Sequence, residues 1–280
     1  MLVNMKELLA SAEAGNYAVG SFSVANMEMV LGALQAAEEL RAPIILQIAE
    51  VRLKQSPLAL IGPLMVAAAE QSDLPVAVHF DHGKTLEKIR EALDIGFTSV
   101  MFDGSHLPLD KNIRETQAVA ALAAEYGAAL EAEIGCVGGS EDGSEEIAMH
   151  CTRPDDACRF AQETGCDALA VAIGNAHGNY KSAPDLRFDI LEEIDRRVDV
   201  PLVLHGGTGI SEADFVRCAH TGIRKINIAT ATFDTVEHTV RACYRENAID
   251  GYYDLQAAEV RGAYENVKKH ICIFGTENKA

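Results

Sequence analysis

Eight short β-rich apolar runs alternate with longer stretches of helical character, with no obvious linker between them, and together they predict a TIM (β/α)8 barrel. Several runs (VAVHF, ALAVAI, PLVLH) are almost continuously apolar, as parallel strands covered on both faces are. The turn after the first run reads Ser-Val-Ala-Asn-Met-Glu, without the glycine signature that a doubly wound dinucleotide-binding sheet places there. A length of 280 residues suits one barrel, so 1–280 is read as a single domain.

The elements follow in order. A short helix at about 5–14 precedes a first strand at 17–24. Further strands are expected at 43–48, 76–80, 99–102, 128–133, 168–173, 202–204 and 223–228. Helix starts lie between them. Ser56-Pro57 has the form of an N-cap followed by proline at the first helical position. Thr152-x-x-Asp155 and Ser211-x-x-Asp214 have the form of capping boxes. A helical extension at about 250–275, with its helix at 254–272, ends the chain. The two terminal helices lie outside the eight-fold repeat and are available to plug the barrel floor or to build a dimer contact.

A 48% hydrophobic content fits a globular chain with a sizeable core. No run approaches the roughly 18 apolar residues of a membrane span, and no signal peptide is expected. The seven cysteines, an odd count without CxxC pairs, fit reduced thiols in a cytoplasmic protein. A net charge of −18 repels nucleic acid and anionic membrane, so neither is an expected partner. An anionic substrate would have to be drawn by local devices instead: a metal, helix N-termini or loop amides.

Barrel enzymes carry their chemistry at the C-terminal ends of strands. Three such ends supply His82, His177 and His205, a donor set suited to a catalytic zinc with an open position, although cobalt or iron fits the same ligands. His79 lies within the third strand, His220 and His238 in helical segments, His270 in the tail, and His106 and His150 in loops. Asp81, beside His82, is either a general acid/base or an orienter of a ligand. Asp103 and Glu133 are metal ligands, hydrogen-bond acceptors behind the ligands, or polar residues of the barrel mouth. The turns Gly206-Gly207-Thr208 and Asn227-Ile228-Ala229-Thr230 occupy the usual barrel phosphate site, where glycines let backbone N–H groups approach an anion. Metal-dependent hydrolysis and non-enzymatic sugar-phosphate binding are the competing readings of these residues.

The motifs VAVHFDHG, EAEIGCVGGSEDG, AVAIGNAHGNY, PLVLHGGTGI and KINIAT resemble, in order, those of the class II ketose-bisphosphate aldolases, which include fructose- and tagatose-bisphosphate enzymes. The resemblance runs from about residue 5 to the end. It implies reversible cleavage of a ketose 1-phosphate or 1,6-bisphosphate, a small-molecule sugar phosphate, into dihydroxyacetone phosphate and an aldehyde. It implies His82, His177 and His205 as Zn2+ ligands, and Asp81 as the acid/base at the C4 hydroxyl. Asp103 and Glu133 become carboxylates near the metal, associated with a second or resting metal position. Glu141 becomes the proton carrier at C3. Gly178, Gly206, Gly207, Thr208, Asn227, Ile228, Ala229 and Thr230 become the residues holding the dihydroxyacetone-phosphate end, with a monovalent cation (Na+ or K+) near the phosphate. A homodimer or homotetramer is implied as well.

The chemistry agrees with this layout. Breaking the C3–C4 bond of a ketose leaves a carbanion that survives only as an enediolate. Without a Schiff-base lysine, a divalent metal on the C2 carbonyl oxygen is the available electron sink. Lys225 lies inside the last strand, before its end, and offers no imine route. Departures from the family pattern gather at the aldehyde end. Ser23 stands where bisphosphate-specific members have Asn, and Gln47-Ile-Ala-Glu50 stands where they supply Ser or Thr. An acid at Glu50 disfavours a second phosphate there, although Arg52 and Lys54 follow. Arg261 is the nearest candidate for the basic residue that such enzymes recruit from the C-terminal region. A non-phosphorylated aldehyde is therefore the alternative product.

Overall fold

A computed structural model describes residues 1–139, 149–180 and 184–280. Eight parallel strands form a closed barrel: β1 (Val19–Ser23), β2 (Ile44–Ala49), β3 (Val76–Gly83), β4 (Ser99–Phe102), β5 (Ala129–Ile134), β6 (Ala168–Val171), β7 (Leu202–Leu204) and β8 (Ile223–Ile228). Each strand pairs with its neighbours in sequence, and the barrel closes where Val19 pairs with Lys225 and Ser21 with Asn227. The expected strands are all present, with ends shifted by a few residues.

The barrel interior is layered. At the floor the inward residues are small or medium: Val19, Ile45, Ala77, Ala129, Ala168, Ala170 and Val203. They leave room for helix α1 (Met5–Gly15), whose Met5, Leu8, Leu9 and Ala12 bury against them. Of the two terminal helices, α1 is the plug. The next layer is polar rather than the usual branched apolar filling of such barrels. It holds Ser21, Gln47, His79, Ser99, Glu131 and Lys225, all fully buried.

The outer ring consists of α2 (Met27–Leu40), α3 (Leu58–Gln71), α4 (Leu86–Ile95), α5 (Leu109–Glu125), α6 (Pro154–Thr164), α7 (Phe188–Asp195), α8 (Glu212–His220) and α9 (Thr230–Arg245). The C-terminal helix α10 (Tyr252–Phe274) joins this ring between α2 and α9. It sits so close to α2 that a Cβ on Gly32 would lie 2.4 Å from the Val260 carbonyl oxygen. Helix α10 is anchored by Ala263, Val267, Ile271 and Phe274 in the main core, and by Thr276, whose hydroxyl donates to the Ala18 carbonyl. No described helix is long and apolar enough to cross a membrane.

Two expected helix starts are corrected. Ser56 does not cap α3. Its hydroxyl donates to the Ala25 carbonyl, and Pro57 occupies the cap position. Thr152 does not cap α6 either. Its hydroxyl donates to the Ile134 carbonyl and accepts from the Ala172 N–H, tying β5 to the loop after β6, while Pro154 opens the helix. In both cases a tertiary partner outcompetes the local cap, since a hydroxyl takes whichever buried backbone group lacks a mate. Ser211 does cap α8, accepting from the Asp214 N–H at 3.1 Å.

Candidate active site

Adjacent strand residues point to opposite sides of a sheet, so Asp81 and His82 cannot both face the barrel mouth from a regular strand. The structure resolves this with an irregularity: the β3–β4 register shifts between Phe80 and Gly83, and His82 adopts φ = 45°. A positive φ at a non-glycine residue is a strained choice that persists where the surroundings enforce it. Here it brings both side chains to one cavity.

That cavity lies over the C-terminal ends of β1, β2, β3, β7 and β8. Its wall contains Ser23, Gln47, Arg52, Asp81, His82, His177, Gly178, Gly206, Gly207, Thr208, Asn227, Ala229 and Thr230. His177 arrives on a two-residue segment, Ala176–His177, that pairs with Gly138–Gly139. The ligand-type nitrogens of His82, His177 and His205 all lie within 4.8 Å of one another.

Each of two imidazoles is oriented by a carboxylate behind it. His82 Nδ1 lies 2.9 Å from Asp103 Oδ2, and His205 Nε2 lies 2.8 Å from Glu131 Oε1. These contacts commit Nδ1 of His82 and Nε2 of His205 to the carboxylates and point the other two nitrogens, His82 Nε2 and His205 Nδ1, at each other at 2.8 Å. Two nitrogens converging in this way can share a proton or a metal cation. Tetrahedral zinc sets ligand nitrogens about 3.3 Å apart, so a small separation of the rings admits it. On this donor chemistry the three histidines fit a divalent metal such as Zn2+.

Neither Asp103, which backs His82, nor Glu133 is on the cavity wall. Burial pushes the Asp103 carboxyl up, but His82 and the Ser105 N–H and hydroxyl outweigh it and hold it well below the ordinary carboxylate range. Glu133 Oε2 is 3.8 Å from His205 Nδ1. His82, Asp103 and Glu133 form a second group able to hold a cation, as His79, Asp81 and Glu131 form a third. The third group competes with Lys225, whose Nζ is 2.8 Å from Glu131 Oε2. Burial also pushes Glu131 up, yet Lys225 and the His205 hydrogen bond hold it well below the usual carboxylate range. For His79, burial and then Lys225 push the imidazole well below its ordinary value.

Asp81 is clamped by two amides. Gln47 Nε2 donates to Oδ2 at 3.0 Å, and Asn227 Nδ2 donates to Oδ1 at 3.1 Å. Gln47 is itself fixed by the hydroxyls of Ser21 and Ser23.

The glycine turn behaves as expected of a site for close backbone approach. Gly206 has φ = 64°, and a Cβ there would stand 2.1 Å from the Ala176 carbonyl oxygen. Tyr180 pins this turn from the preceding loop: its hydroxyl donates to the Gly206 carbonyl at 2.9 Å and accepts from the Ala176 N–H at 2.8 Å. Burial pushes the Tyr180 phenol up to about 12. Thr208 Oγ1 accepts the Ala231 N–H at the start of α9, joining the two anion turns.

Several expectations are corrected or left outside. Ile228 is fully buried, with its Cδ1 packed under Gly207, so its side chain faces the outer core and not the cavity. Glu50 turns away: it starts a one-turn 3-10 helix, and its carboxylate accepts the Lys84 N–H at 2.7 Å. The cavity wall at that point is Ala49, Val51 and Arg52. Arg261 lies on α10 and donates to Cys243 Sγ at 2.7 Å, and it is not among the described residues of the cavity wall. Glu141 lies outside the described residues. Sequence reasoning missed the site functions of Gln47, Glu131, Lys225 and Tyr180. Tyr180 follows a site histidine by three residues in GNAHGNY, which was the available signal. The other three sit mid-strand, where nothing in the pattern says which way they face.

Comparison with known proteins agrees with this geometry. The family model for "Fructose-bisphosphate aldolase class-II" matches residues 3–279. The chain belongs to the class II fructose-bisphosphate aldolase family. As an aldolase it is a lyase, which sets aside the hydrolase reading of the metal ligands. It is 38% identical over 287 residues to the 6-phospho-5-dehydro-2-deoxy-D-gluconate aldolase of Halalkalibacterium halodurans, covering 100% of this chain and 98% of that one. It is 39% identical over 285 residues to a fructose-bisphosphate aldolase of Staphylococcus aureus, covering 100% and 99%. Among solved structures, the YdjI aldolase of Escherichia coli K12 superposes with a TM-score of 0.90 at 35% identity, covering 100% of both chains.

Proposed function

We propose that this class II aldolase reversibly cleaves a ketose 1-phosphate or ketose 1,6-bisphosphate into dihydroxyacetone phosphate and an aldehyde. The observation that carries the reading is the placement of Asp81, clamped by Gln47 and Asn227, on one cavity wall with His82, His177 and the Gly206–Thr208 turn, with His205 buried 2.8 Å from His82.

In this reading His82, His177 and His205 hold Zn2+, with Asp103 and Glu131 orienting two of them. When bound, the metal withdraws electrons through the C2 carbonyl of the ketose. Asp81 accepts the C4 hydroxyl proton as the C4–O bond becomes a carbonyl and the C3–C4 bonding pair is left on C3. Both amides donate to Asp81, so its two oxygens are held as acceptors, the role that a base requires. Glu141 is the group proposed to return a proton to C3. Gly178, Gly206, Gly207, Thr208, Asn227, Ala229 and Thr230, with the backbone of Ile228, hold the phosphate end, and a monovalent cation sits beside that phosphate. Asp103 and Glu133 also offer the resting position for the metal.

The far end of the substrate faces Arg52, whose guanidinium carbon lies 5.4 Å from the centre of the Phe233 ring. With Glu50 turned away, Arg52 is the side chain of this wall proposed to meet a second phosphate or another anion. Relatives named for a sugar acid and for a bisphosphate are consistent with variation at this end. The same reading makes the protein one domain over 1–280 and a cytoplasmic homodimer or homotetramer, which light scattering on the eluting species checks.

The test is a panel of ketose 1-phosphates and 1,6-bisphosphates of both C4 configurations, assayed for release of dihydroxyacetone phosphate. Release from at least one is expected. If every member is inert with the metal-loaded enzyme, the substrate reading is wrong.

A further inference from the structure

Lys225 is fully buried inside the barrel, below the cavity and away from its wall. A buried charge is a poor stabiliser, because desolvating it cancels most of what its partner returns, and apolar replacements of such pairs are often neutral or better. The aldolase reading assigns Lys225 no step. Its contacts, however, branch to both halves of the site. Lys225 Nζ lies 2.8 Å from Glu131 Oε2, and Glu131 Oε1 is 2.8 Å from His205 Nε2. Lys225 Nζ also donates to Asn227 Oδ1 at 2.6 Å, and Asn227 Nδ2 donates to Asp81 Oδ1 at 3.1 Å.

A lysine ammonium donates and cannot accept. This directs each branch. Asn227 must turn its carbonyl oxygen to Lys225, so its amide N–H faces Asp81 as a donor. Glu131, with its other oxygen 2.8 Å from the Lys225 ammonium, is placed to accept from His205 Nε2–H, which turns His205 Nδ1 toward His82.

We propose that Lys225 is a positioning residue that sets the hydrogen-bond direction of both branches, presenting His205 Nδ1 to the metal through Glu131 and orienting Asp81 through Asn227. The proposal rests on the reading of His205 as a metal ligand and Asp81 as the acid/base.

The test uses full-length enzyme stripped of metal and titrated with Co2+ against a competing chelator, alongside steady-state cleavage. Lys225→Met is expected to weaken Co2+ binding by about 10- to 100-fold, the usual effect of losing an outer partner of a ligand. It is expected to lower kcat at saturating metal while KM changes by less than about threefold, because the loss falls on the Asn227 side chain that faces Asp81 and leaves the Gly206–Thr208 turn in place. The Glu131→Gln/Lys225→Met double variant removes both charges together and guards against a folding failure. Its glutamine oxygen still accepts from His205, so Co2+ affinity returns to within about threefold, whereas kcat stays low because Asn227 has lost its donor. A folded Lys225→Met enzyme with unchanged Co2+ affinity and kcat overturns the proposal, and so does a double variant with full kcat. His177→Ala separates the two levels: if it leaves Co2+ affinity intact, the three-histidine reading has failed, whatever Lys225 does.

Discussion

His205 Nδ1 stands 2.8 Å from His82 Nε2, while the opposite nitrogen of each ring is committed to a carboxylate, Glu131 or Asp103. The two lone pairs are thereby aimed at one point, with His177 closing the third side at ring-centre distances of 5.0 and 5.9 Å. Carboxylates behind imidazoles preset the tautomer, so on the proposed reading the donor nitrogens are organised in advance of a metal.

Metal removal is therefore expected to abolish cleavage and to destabilise the fold. At 100 times its dissociation constant, a ligand of the native state adds about 2.7 kcal/mol. For a chain of this size that is on the order of 5 °C or more in Tm. Thermal denaturation before and after chelation, with Zn2+ added back, checks both effects. Borohydride in the presence of substrate is expected to leave activity intact, because Lys225 is buried in its ion pair.

Asp81→Asn keeps the shape of the clamp and removes the base. A fall in kcat of about 10²- to 10⁴-fold is expected, the usual worth of positioned proton transfer. Zn2+ affinity is expected to stay within a few-fold. Cleavage kinetics and a metal titration on one preparation measure the two separately, and a kcat within threefold of the parent excludes Asp81 as the base.

Arg52→Ala is expected to separate substrates by the charge of their far end. KM should rise at least about 10-fold for ketose phosphates that carry a second anion there, since charge-assisted contacts of this kind are worth roughly 1.5–3 kcal/mol. Ketoses with a neutral far end should be affected by less than about threefold. Equal effects on both groups would remove Arg52 from the specificity site.

His270 gives a pH dependence unrelated to the chemistry. It is packed among Phe22, Phe215 and Phe274, and its Nδ1 donates to the Asn266 carbonyl. Burial lowers its pKa from the ordinary 6.5 to about 4, against the raising effect of that hydrogen bond. Between these values the unfolded chain takes up a proton that the folded chain refuses. Stability is therefore fully present above pH 6.5 and falls as pH drops toward 4, by up to about 3 kcal/mol. Urea unfolding at pH 7 and pH 5 should show the loss, and His270→Leu should reduce it.

The chain pattern alone determined the eight-strand barrel, its two terminal helices, the three histidines and the glycine turns. Those features are local: a strand announces itself by a short apolar run, a mouth residue by its position just past that run, and a phosphate turn by glycines before a helix. The tertiary structure decided which way the strand residues face. In a parallel barrel both faces of a strand are buried, so the period-two alternation that separates inside from outside is erased. His79, Glu131 and Lys225 are indistinguishable in sequence from residues packed under a helix, yet they form part of the buried polar layer beneath the three histidines. The register shift in β3 and the left-handed φ of His82 were equally hidden, because they arise where strands of unequal register meet. Glu50 reached the Lys84 amide and Thr152 the Ile134 carbonyl for the same reason: each polar group takes a buried backbone partner that comes within reach only once the barrel has closed.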